Sequence, residues 1–70
     1  MISTEAIRKR FENGFQPFTL CLSDGRRFPV LHPDNLAIGK NVVVVLDKDD
    51  MSHLISVLHI VSLEEQVRPQ

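Results

Sequence analysis

The sequence predicts a mainly β fold: a small barrel of about five short strands preceded by one helix. Three observations carry that prediction. Apolar residues alternate through Phe18, Leu20 and Leu22, and again through Phe28 and Val30, on either side of an Asp24-Gly25 pair. Asp-Gly between two alternating runs is the strongest short-range hairpin signal, because a tight primed turn needs positive φ, which these residues tolerate. Second, Val42 to Leu46 is a run of β-branched and aliphatic residues without alternation, the pattern of a strand covered on both faces. Third, 70 residues make one domain, residues 1–70, too small to bury more than roughly 60% of its unfolded surface.

The elements follow in order. Ser3 is a good N-cap, with Ile2 and Ile7 at the hydrophobic-staple positions and Glu5 in the first turn, where the helix dipole favours an acid. Ile7 and Phe11 share a face and Gly14 supplies a stop, so a helix is expected over about 4–13. The barrel is expected over about 17–64. Its first strand runs about Phe18–Ser23 and its second about Arg26–Leu31, where Pro29, lacking an N–H, marks an edge or a bulge. Asp34 or Asn35 caps a single helical turn over Leu36-Ala37-Ile38. After the strand at 42–46, Asp47-Lys48-Asp49-Asp50 forms an acidic turn. Residues 52–63 fit a helix of about ten residues or two short strands, Ser52–Ser56 and Ile60–Leu63, joined by a turn at Val57-Leu58-His59. Their β-branched residues favour strands. The polar tail 65–70 is expected to fray.

Composition narrows the function classes. Eight basic and nine acidic residues leave a net charge of −1, against the strong positive balance of nonspecific nucleic-acid binders. The opening Met1-Ile2-Ser3-Thr4-Glu5 lacks a basic start and an apolar core, so no signal peptide is predicted. The longest apolar run is far too short to cross a bilayer. With a single cysteine, no disulfide within the chain is possible, and the chain reads as cytoplasmic. A domain this small without a staple is stabilised by tight packing or by self-association.

No residue constellation points to catalysis, a cofactor or a metal. His32, His53 and His59 form no HxH or HxxxH pair, so surface or edge histidines are the simpler reading. Cys21 reads as a structural residue rather than a nucleophile, because a chain of this size rarely encloses a ligand-sized cleft. Asp47, Asp49 and Asp50 lack the glycine and distal glutamate of a calcium loop. Two basic clusters, Arg8-Lys9-Arg10 on the helix and Arg26-Arg27 at the hairpin, are the candidate nucleic-acid contacts. No Tyr or Trp is present to stack on bases. Residues 42–63 hold more apolar side chains than one small barrel needs. The expected interface of a homo-oligomer, a dimer or a ring, is therefore Val43, Val45, Leu54, Ile55, Ile60 and Leu63.

From Phe15 to Glu65 the chain resembles a set of short bacterial proteins with no assigned activity. The resemblance rests on Pro17-Phe18-x-Leu20-x-Leu22-x-Asp24-Gly25-Arg26-x-Phe28-x-Val30-x-His32-Pro33-x-x-Leu36-Ala37-Ile38, the β-branched strand, and His59-Ile60-x-x-Leu63-Glu64. More distantly, a helix followed by five short strands with a one-turn link between the last two looks like the Sm fold, a small barrel related to Src-homology-3 folds. That resemblance implies ring formation through the fourth and fifth strands and binding of single-stranded RNA. Ser52-His53-Leu54-Ile55 stands where the bacterial RNA chaperone of that fold carries aromatic and basic residues.

The two readings of function are thus a self-associating, non-enzymatic interaction module and an RNA-binding protein of the Sm kind.

Overall fold

A computed structural model describes residues 2–65. The expected tail over 65–70 lies outside the described residues from 66 onward. One short helix and six strands follow in the order α1 (Thr4–Arg8), β1 (Phe18–Leu22), β2 (Arg27–Val30), β3 (Leu36–Ile38), β4 (Val42–Leu46), β5 (Ser52–Ser56) and β6 (Ile60–Glu65). They build two antiparallel three-stranded sheets, β2-β1-β6 and β3-β4-β5. The mainly β class is as expected. The strand count is six rather than five, and backbone pairing among the described residues closes no barrel.

The helix begins as its cap predicts, with the Ser3 hydroxyl accepting from the Ala6 N–H at 3.3 Å. It ends earlier than residue 13. After Arg8 the chain tightens into a 3₁₀ turn over Lys9–Phe11, and Asn13 and Gly14 both take positive φ. The left-handed backbone at Asn13 and Gly14 then turns the chain out of the helical path toward β1. Phe11, Phe15 and Phe18 form one cluster with ring centroids 5.2 to 6.4 Å apart, the range of favourable aromatic pairs. The turn at Asn13 and Gly14 brings Phe18 of β1 back onto Phe11. Ile7, fully buried, is the side chain that docks α1.

The β1–β2 hairpin forms at Asp24-Gly25, but not as a two-residue primed turn. Leu22 N–H donates to Arg26 C=O at 2.9 Å and Gly25 N–H to Leu22 C=O at 3.0 Å, and Gly25 alone has positive φ (+92°). This is a three-residue loop, Ser23-Asp24-Gly25, in which a left-handed Gly follows the turn. Asp24 Oδ1 accepts from Arg26 N–H at 3.0 Å, and that bond holds its carboxyl below the ordinary aspartate range. The acidic turn between β4 and β5 repeats the geometry. Asp47 N–H donates to Met51 C=O, Asp50 N–H donates to Asp47 C=O, and Asp50 takes the left-handed position at φ +64°.

Leu36-Ala37-Ile38 is a strand, not a helical turn. The 3₁₀ turn falls one step earlier, on Pro33–Asn35. Leu36 and Ile38 then point inward and Ala37 outward while β3 pairs with β4. Three residues are too few to show a period of two in the sequence. Pro29 sits on the edge strand β2, where its missing N–H costs no ladder bond. Residues 52–63 are the two expected strands, joined by a 3₁₀ turn over Val57–His59 that the Ser56 hydroxyl caps by accepting from Leu58 N–H at 3.3 Å.

The inward faces of both sheets and α1 share one core, built on Ile7, Phe18, Leu20, Val30, Val43, Val45 and Ile60. Every residue of β1 is buried, including Thr19 and Cys21 on its second face. Arg27, the β2 partner of Cys21, forms an ion pair with Glu64 on β6 and so bridges that face from both sides of β1. β4 corrects an expectation. Only Val43 and Val45 are buried, while Val42, Val44 and Leu46 alternate outward and stay partly or largely exposed. Among the described residues Val42 is exposed and Val44 and Leu46 are half-buried, so β4 is central in its sheet but fully covered on one side only.

Candidate functional site

Register decides what β4 and β5 offer. Val43 stands opposite Ile55, Val44 opposite Leu54, and Val45 opposite His53. Side chains alternate along a strand, so the odd-numbered residues of both strands point into the core and the even-numbered ones outward. The outward set is Val42, Val44 and Leu46 on β4 with Ser52, Leu54 and Ser56 on β5, and Ala37 of β3 flanks Val44. Leu54 is 72% exposed and Val42 39%. An apolar row Ala37-Val44-Leu54 therefore crosses the open face of the sheet.

The structure redistributes the residues expected at an interface. Val43, Val45, Ile55 and Ile60 are buried in the chain's own core and have no side-chain surface to present to a partner. Leu63 is partly buried against that core, and Leu54 alone of the six projects fully. Sequence reading counted these residues together because strand register, not composition, decides which side of a sheet each one faces. Val44 was missed for the same reason.

A groove of about 450 Å³ lies between the sheets, where β2 passes the β4–β5 turn. Phe28, Pro29, Leu31 and Leu46 form its apolar wall. At one end His53 Nε2 lies 2.7 Å from Asp47 Oδ2, which accepts. The imidazole also packs on Phe28, with ring centroids 4.8 Å apart, and the Arg26 guanidinium lies 5.7 Å from the Phe28 centroid. Asp47 Oδ1 accepts the N–H groups of Asp49 and Met51 at 2.9 and 3.0 Å. The bond to His53, then that to Met51, holds the Asp47 carboxyl below the ordinary aspartate range. Asp47 thus locks the turn and ties it to β5. Each of its oxygens is engaged inside the protein, which favours a structural role over proton transfer. The spacing of Asp47 and His53 across a hairpin turn was the signal for this pair.

The basic clusters do not stand free. Arg8 pairs with Glu5 at 3.5 Å, Arg10 with Glu65 at 2.8 Å, Arg26 with Asp24 at 2.8 Å, and Arg27 with Glu64. The Arg27 contact holds Glu64 below the ordinary glutamate range, and Glu64 in turn raises Arg27. Lys9 is exposed on the 3₁₀ turn. The five candidate nucleic-acid contacts therefore include four arginines already facing carboxylates. His32 and His59 are exposed, and among the described residues no three His, Cys, Asp or Glu side chains gather as a metal cluster. Cys21 is a free, buried thiol on β1. Among the described residues no helix is long and apolar enough to cross a membrane.

No family model, curated protein or solved structure matches the chain.

Proposed function

We propose that this chain is a non-enzymatic interaction module that associates with itself through β5 and the apolar side chains beside it on the outer side of the sheet. The observation that carries the reading is Leu54, 72% exposed beside Val44 on a strand with no Asp, Glu, Lys or Arg. An apolar row of this kind on an open sheet face invites a partner, because covering it removes apolar area from water. The polar groups of the nearby groove hold the β4–β5 turn rather than a reactive atom, which fits a binding role better than a catalytic one.

The strand succession supports reading the fold as a small barrel of the Sm kind. β2 runs into β3 through one 3₁₀ turn, and β5 runs into β6 through another. Sheet pairing then follows the order β6-β1-β2 and β3-β4-β5, as an opened barrel would.

The test is the mass of the full chain in solution, by light scattering after size exclusion over a wide range of concentrations. A mass that rises above that of one chain with concentration supports the reading. A single-chain mass up to high micromolar concentration overturns it.

A further inference from the structure

We infer that the partner is a second copy of this chain, joined β5 to β5 across a two-fold axis at Leu54 so that two sheets become one continuous six-stranded sheet. The inference rests on the self-association reading above and specifies its geometry.

The argument starts from where backbone groups point. Asp47 N–H donates to Met51 C=O and Val57 N–H to Asn41 C=O, each at 3.0 Å, at the two ends of the β4–β5 ladder. In an antiparallel pair the bonded positions recur at every second residue. With Val45 opposite His53 and Val43 opposite Ile55, these two β5 residues direct their N–H and C=O groups to β4. Ser52, Leu54 and Ser56 direct theirs away from β4. Among the described residues β5 pairs with no strand but β4, so this row lies at a sheet edge.

Four strands are edges, and three are protected. β2 contains Pro29 and the charged Arg27. β3 has three residues. β6 breaks register beside Cys21 and Leu22 and carries Glu64 and Glu65. Proline, shortness, bulges and charge are the devices that keep edges from pairing. β5 has none of them: it is five residues long, in unbroken register with β4, and uncharged apart from any proton on the inward-facing His53.

Charge then selects a copy of the same strand. A two-fold axis sets equivalent surfaces against each other. Across β6 it would bring Glu64 and Glu65 toward their own copies, and across β2 it would do so for Arg27. Across β5 no like charges meet. Centring the axis on Leu54 pairs it with its own copy and pairs Ser52 with Ser56 of the partner. All three outward-facing residues then become bonded positions at once, and each such pair exchanges two hydrogen bonds. Sliding the register by two residues leaves one of the three unpaired. On the outer face the two Leu54 side chains lie together, flanked by Val44 from each copy. The edge is only about 17 Å long, a small contact, so dissociation on the order of micromolar is expected.

Cysteine cross-linking of the full chain tests the geometry. Paired Cα atoms at bonded positions lie about 5.5 Å apart, within disulfide reach. Leu54→Cys is expected to form covalent dimers under mild oxidation. Ser52→Cys and Ser56→Cys should each fail alone, since like positions lie roughly 14 Å apart, yet cross-link when mixed. The unsubstituted chain, whose Cys21 is buried, is the control. A dimer mass with no Leu54→Cys cross-link overturns β5 pairing and leaves self-association by another surface standing. A single-chain mass at every concentration overturns both.

Discussion

Replacing Leu54 by serine separates the stability of the fold from the stability of the assembly. Full burial of a leucine side chain is worth roughly 1.5–3 kcal/mol. Leu54 keeps 72% of its surface in the single chain, so covering the remainder is worth roughly 1–2 kcal/mol per copy. Two copies contribute in a two-fold contact. The open outer face lets a neighbouring strand cover about half of each side chain, leaving about 1–2 kcal/mol per dimer, or roughly 5- to 30-fold in dissociation constant. Within one chain the same change removes little, because Leu54 is already in water, and its effect on folding should stay within about 0.5 kcal/mol. Sedimentation or light scattering across a concentration series reads the first quantity. Urea unfolding at concentrations well below dissociation reads the second. An unchanged dissociation constant would refute the assignment of the contact to this face. A large loss of folding stability would refute the placement of Leu54 outside the core.

The remaining predictions concern the scaffold. Ile7→Ala, which truncates the one buried side chain of α1, should cost about 2–5 kcal/mol and lower the urea midpoint sharply. An unshifted midpoint would mean that α1 does not share the core. Asp50 and Gly25 occupy equivalent left-handed positions in the two hairpin loops, so substitutions there should have opposite signs. Asp50→Gly should stabilise by about 0.5–1 kcal/mol and Gly25→Ala should destabilise by about 1 kcal/mol, both through backbone conformation, since no atom lies within 4 Å of a Cβ added at Gly25. Asp47 and Glu64 titrate below their ordinary ranges in the folded chain. Their contribution is therefore complete above the unfolded-state values and is lost as pH falls through the folded ones, so stability should decline below about pH 4. Asp47→Asn should flatten that decline in melting curves taken from pH 6 to pH 2.

Local chemistry was legible where it acts over a few residues. Ser3 capped a helix, Asp24-Gly25 turned a hairpin, Pro29 found an edge, and the β-branched content of 52–63 favoured two strands over a helix. Several readings that depend on the arrival of a second segment went astray. The helix tightens into a 3₁₀ turn after Arg8, and Asn13 with Gly14 turns the chain so that Phe18 packs on Phe11. Leu36–Ile38 extends because β4 offers a ladder to pair with. The groove assembles from β2 and the β4–β5 turn, which lie far apart along the chain, and the Arg10–Glu65 and Arg27–Glu64 pairs likewise join distant segments, whereas Arg8–Glu5 and Arg26–Asp24 are local.

The sequence alone determined that this is a small, mainly β domain, because turn chemistry and side-chain period are properties of neighbouring residues. Which face of β4 and β5 is core and which is open was decided only by the tertiary structure. A one-residue slip in register exchanges the two faces without changing composition. The register Val44↔Leu54 places Val43, Val45 and Ile55 against the other sheet and leaves Leu54 in water. That placement leaves one leucine, among many apolar residues of similar appearance, standing out on the open face.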